Sequence, residues 1–154
     1  MTQIGIIAKT TGFWASLIGG LLGGIWIIGL GINRALWVFG AVQALAILGF
    51  SWLALDGADP LLLAFVIGFE AFGVGLGTAA FVAYIAKTTD ERYTATQFAL
   101  FTSLAAVPRT FINASAGYIV DVTGWFMFFN LCFVLALPGM MLLPKVAPWG
   151  KKQE

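Results

Sequence analysis

Charged residues divide this chain into apolar runs, each about as long as a bilayer is thick, and that spacing constrains the fold more than any other feature. A charge-free run, Thr10–Asn33, lies between Lys9 and Arg34, and Ala35–Leu55 follows it. Pro60–Ala86 and Tyr93–Val120 each contain a single charge, Glu70 and Arg109, and Val122–Pro144 contains none. A spanning helix needs about 20 apolar residues. In lipid every backbone N–H and C=O must be satisfied within the protein, so separate segments of this length form helices. The spacing predicts an all-α, polytopic membrane bundle of about five transmembrane helices, near residues 12–30, 35–55, 61–86, 95–119 and 125–143.

Composition narrows the classes further. Hydrophobic residues make up 60% of the chain and charged residues only 10%, against about 25% charged in soluble domains. A net charge of +1 argues against nucleic acid as a partner and leaves membrane lipid as the surroundings. With no histidine and one cysteine, Cys132, the chain has no intrachain disulfide and no His/Cys ligand set for a metal. Cys132 reads as a small packing residue. No serine has an adjacent base and only one acid lies deep, so no catalytic residue is assigned, no enzyme activity is expected and no cofactor is called for. The first apolar run lacks a basic start and is too long for a signal-peptide core.

The loops give an orientation. Arg34, Lys87, Arg92, Lys145, Lys151 and Lys152 fall at alternate ends of the helices, and Asp56, Asp59 and Asp121 at the others, with Lys9 the only base there. The excess of basic residues places the first set in the cytoplasm. The N-terminus is then outside and the C-terminus inside. Asp56-Gly57-Ala58-Asp59-Pro60 and Asp121-Val122-Thr123-Gly124-Trp125 read as short outward turns, and Lys87–Tyr93 as the charged inward one.

Within the helices, two kinds of pattern stand out. Ser16, Gly19, Gly20, Gly23 and Gly24 form overlapping small-xxx-small patterns that let another backbone approach, as fixed helix packing or as the sliding contacts of a transporter. Glu70, Gly73 and Gly77 share a face of the third helix, with Tyr84 two turns on. Thr102, Arg109 and Asn113 share a face of the fourth with Ala105 and Ala116, and Pro108 is expected to kink it. A charge at mid-membrane costs about 2.5–3.5 kcal/mol on the most lenient scale, so each persists for a reason. At 1.5 Å per residue, Glu70 lies about 15 Å from the outer end of its helix and Arg109 about 17 Å from that of its own. The two are thus placed to form a structural ion pair, to serve substrate or proton, or to occupy separate hydrated positions. Thr102, Asn113 and Tyr84 would supply supporting hydrogen bonds.

The segment Phe69–Leu104, continued by AAVPRTFINASAGYIVDVTGWFMFF, closely resembles the C-terminal half of the AmpG-type muropeptide permeases of the major facilitator superfamily. The resemblance rests on Gly75-x-Gly77-Thr78-Ala79-Ala80-Phe81-Val82-Ala83, on Arg92-Tyr93-Thr94-Ala95-Thr96-Gln97-Phe98-Ala99-Leu100, and on Arg109 with Gly117-Tyr118. Upstream, Gly23-Gly24, Gly31 and Arg34-Ala35-Leu36 resemble a second copy of the superfamily's cytoplasmic helix–loop–helix motif, with Ile28 and Gly29 where an acid and a base are common. The resemblance runs from about Thr2 to Leu143. It implies proton-coupled import of anhydro-muropeptides across the bacterial inner membrane, for cell-wall (peptidoglycan) recycling and β-lactamase induction. It also implies that residues 1–154 form part of one C-terminal transmembrane domain, the eighth to twelfth helices of twelve. The seventh helix and an N-terminal half are then missing partners, as for a fragment. The alternatives are another superfamily substrate, such as a sugar conjugate or acyl-CoA, and a membrane remnant that transports nothing.

Overall fold

A computed structural model describes residues 2–56, 59–90 and 92–149, and all regular structure among them is helical. Four helices follow in order: α1 (Thr2–Leu30), α2 (Ile32–Asp56), α3 (Pro60–Thr88) and α4 (Thr94–Val146). Each contains a stretch long and apolar enough to span a membrane. Gly57, Ala58, Glu91, Lys151 and Lys152, which belong to the expected turns and basic tail, lie outside the described residues.

The local chemistry explains most of the boundaries. Lys9 does not end the first helix, which begins ten residues before the expected start, because a lysine propagates a helix as well as most residues do. The expected turn between the first two helices shrinks to one residue, Gly31, whose φ of 80° suits a residue without a β-carbon. Gly31 N–H still donates to Ile27 O and Ala35 N–H to Gly31 O, so the turn loses few backbone bonds. The start of α3 is capped by Asp59, whose carboxylate accepts from Leu61 N–H at 3.0 Å, with Pro60 at the first helical position.

α4 is 53 residues long, about 80 Å if straight and more than twice the hydrocarbon thickness. It is not straight. Gly124, at φ 79° and ψ 161°, has the only non-helical backbone inside it, dividing it into arms of residues 94–123 and 125–146. Tyr84 on α3 locates both arms: it shares a cleft with Phe101, Leu104 and Ala105, and its hydroxyl donates to Val146 O at 3.4 Å. A straight helix would hold positions 101 and 146 about 68 Å apart, so α4 doubles back at Gly124. The two arms take the place of the fourth and fifth spans expected as separate helices. The break falls within the expected turn at Asp121–Trp125, while backbone torsions stay helical through Pro108.

Packing is organised around α3. α1 runs parallel to it and meets it through small residues: Thr11 touches Gly68, Gly12 faces Ile67 and Ala71, and Gly23 faces Leu76 and Ala79. A β-carbon built on Gly75 would collide with the backbone of Ser16, Gly19 and Gly20, and one on Gly19 with the carbonyl of Phe72. These two helices therefore touch backbone to backbone. α2 runs antiparallel to α3, with Gly49 against Val66, Gly73 against Gln43, and Ala35 and Phe39 clustered with Leu76 and Ala80 in the buried core. The second arm of α4 runs antiparallel to α2, with Phe50 stacked on Phe129 at 5.1 Å and Gly40 under Met140.

Candidate functional site

Glu70 lies on the stripe of α3 that includes Val66, Gly73 and Ala80, the stripe that packs on α2. It is half-buried. Gly73, one turn on, makes room for the amide of Gln43: a β-carbon there would stand 3.0 Å from Gln43 Oε1. Gln43 is a polar residue that sequence reasoning passed over. Its signal was its isolation, since it and Ser51 are the only polar residues of the run Ala35–Leu55 apart from the indole N–H groups. Ser51 is 6% exposed, and its Oγ has no hydrogen-bond partner. The α2–α3 interface thus carries an amide against Gly73, with a half-buried acid one turn back on α3, while Ser51 lies eight residues further along α2.

Arg109 lies elsewhere. The first arm of α4 leaves the bundle beyond the Tyr84 cleft, and residues 103–115 are all exposed, Arg109 and Asn113 among them. Phe111 is 71% exposed and Tyr118 76%. No ion pair or hydrogen bond joins Arg109 to Glu70. Thr102 is half-buried and its hydroxyl donates to Phe98 O and Ala99 O of its own helix, leaving it little capacity for a ligand in this state. Tyr84 is engaged with Val146 O. The five polar residues singled out in the sequence therefore do not converge on one point. Glu70 stands about 21 Å along α3 from Tyr84, and Arg109 and Asn113 share an arm whose polar face has no protein against it.

The cleft that Tyr84 does form is lined by Phe81, Tyr84, Ile85 and Thr88 of α3 and by Phe101, Leu104 and Ala105 of α4, and measures about 440 Å³. Its lining is almost wholly apolar. Of the small residues picked out for helix packing, Ser16, Gly19 and Gly23 lie in the α1–α3 contact and Gly73 in the α2–α3 contact. A β-carbon on Gly20, Gly24 or Gly77 would meet nothing within 4 Å. Among the described residues no group of three or more His, Cys, Asp or Glu side chains is placed to hold a metal.

No protein-family model matches the chain. Individual relatives do. The chain is 49% identical, over 99% of its length, to an uncharacterised protein of Haemophilus influenzae, of which it covers 37%. It is 35% identical, over 92% of its length, to the anhydromuropeptide permease of Escherichia coli, covering 29% of that protein. A Rickettsia conorii protein named AmpG 4 is likewise 35% identical over 92% of this chain, which covers 34% of it. The chain thus spans about a third of the length of the curated relatives it matches. With its apolar helices, these relatives mark it as a multi-pass membrane protein related to permeases.

Proposed function

We propose that this chain is the C-terminal membrane part of an AmpG-type permease of the major facilitator superfamily, which carries anhydro-muropeptides with a proton into the cytoplasm. The observation that carries the reading is the 35% identity to the anhydromuropeptide permease across almost the whole chain. The exposed face of α4 supports it. An arginine and an asparagine at mid-membrane, on a stretch of helix that no described residue covers, belong against a wall or a watered cavity, since lipid would leave them unsatisfied. In this reading a further set of helices supplies such a wall; the Haemophilus influenzae relative is nearly three times as long as this chain.

In this reading Arg109 meets the carboxylate of the substrate's peptide, and Asn113 donates a second hydrogen bond from one turn further along the same face. Glu70, half-buried on α3 one turn before Gly73, is the group that takes up and releases the proton. Thr102 and Tyr84 contribute hydrogen bonds only when the bonds they make in this state are released. The inner, basic end of the bundle faces the cytoplasm of a bacterial inner membrane, as the distribution of Lys and Arg favours.

Uptake of radiolabelled anhydro-muropeptide into right-side-out vesicles tests this, using the longer protein that contains this region. Uptake should depend on the proton gradient and be lost in Arg109→Gln. Glu70→Gln should abolish accumulation while leaving exchange of substrate down its gradient. Absence of uptake by a well-inserted, full-length protein would overturn the reading.

A further inference from the structure

The last residues described form an unusual end to a helix. An α-helix leaves its final carbonyls without intrahelical donors, and at the edge of a membrane such groups are costly to leave unpaired. Here four consecutive carbonyls each accept a hydrogen bond from a side chain of a distant element. Tyr84 Oη donates to Val146 O at 3.4 Å, Trp37 Nε1 to Ala147 O at 3.0 Å, Asn33 Nδ2 to Pro148 O at 3.2 Å and Arg34 Nε to Trp149 O at 3.4 Å. Ala147 is fully buried and its own N–H returns to Leu143 O. The ring of Trp149 meets that of Trp37 edge-on, with centroids 6.2 Å apart.

We propose that residues 146–149 are a strap that fastens the C-terminal end of α4 to α2 and α3, fixing the second arm of α4 and leaving the first arm to pivot at Gly124. Three features support this. The donors come from two helices, so the strap closes the bundle rather than merely ending α4. They are read by backbone carbonyls, so the strap depends on the path of the chain more than on its side chains. The two arms of α4 also differ sharply in cover: the second lies along α2, whereas the first is exposed over residues 103–115. The inference does not depend on what, if anything, is transported.

Limited trypsin digestion of the detergent-solubilised full chain tests it at Lys145, which immediately precedes the strap. Cleavage there requires the helix end to open. Trp37→Phe keeps the ring and removes one donor, and Asn33→Ala removes another. Each should raise the initial rate at Lys145 about fivefold, and the two together about twentyfold, while cleavage at Lys87 and Arg92 stays unchanged. An unchanged rate at Lys145 in the double variant would overturn the strap. So would a parallel rise at Lys87, which would mean general loosening. Should the double variant fail to accumulate, Tyr84→Phe removes the α3 donor alone and carries the same expectation of a fivefold rise, with no change counting against the strap.

Discussion

At Gly75 the backbone of α3 lies directly against the backbone of α1, so even one added methyl group displaces a helix rather than a side chain. Gly75→Ala should therefore lower stability by about 1–3 kcal/mol, the usual cost of overpacking. Gly24→Ala and Gly77→Ala, whose new methyl groups enter open space, should stay within about 0.5 kcal/mol. Reversible unfolding of the three variants in mixed detergent micelles distinguishes them, and equal losses at all three would contradict the close approach of α1 and α3. The sequence showed that α1 carries a small-residue stripe, because small-xxx-small spacing is readable. Its partner was not readable, since a parallel neighbour two helices away leaves no local mark, and Gly75 stood out only as part of a family motif. Glu70 and Arg109 make the complementary case. Depth alone allowed them to meet, but the splayed first arm of α4 keeps them apart. Glu70→Gln and Arg109→Gln should thus change stability additively, to within about 0.5 kcal/mol, in a double-mutant cycle. A coupling several times larger would mean that the two charges pair in the membrane.

The helices themselves were legible because lipid removes the alternatives: a long apolar run has to satisfy its backbone internally. What the charge spacing could not show was which charges interrupt a helix. Lys9 does not, and the outward turn at 121–125 reduces to a break at one glycine. Gly124 occupies a region of φ and ψ that is essentially closed to residues with a β-carbon, so the reversal of α4 rests on it. Gly124→Ala should cost about 1–3 kcal/mol, whereas Gly117→Ala and Gly139→Ala, helical and unobstructed, should be neutral or slightly stabilising. Thermal denaturation of the three variants measures this, and a neutral Gly124→Ala would show that α4 turns by other means. The ends of the elements also carry the orientation. In a Cys132→Ser background, a cysteine at Asp121 should react with a membrane-impermeant maleimide in intact cells, and one at Lys87 only after permeabilisation. The reverse pattern would invert the topology.

Taken whole, the molecule has its buried core among α1 to α3, with the second arm of α4 laid along α2 and the first arm packing on little. The N-terminal end of α2 and the C-terminal ends of α3 and α4 meet where Arg34 and Tyr84 bind the α4 terminus, which brings much of the positive charge to one end. The strap was invisible in the sequence because its acceptors are backbone carbonyls, which every residue has. The polar face of the first arm was visible as a pattern, but a pattern alone does not show that no described residue covers it. Under the proposed function this chain supplies part of a muropeptide path and needs the rest of a permease to complete it. Coexpression with an Escherichia coli anhydromuropeptide permease lacking the region that this chain matches tests that claim most directly. Vesicles containing both pieces should accumulate labelled anhydro-muropeptide in a proton-gradient-dependent manner, and vesicles with either piece alone should not exceed background. Gradient-dependent uptake by the 154-residue chain alone would contradict the account, as would no uptake when both pieces are inserted and associated.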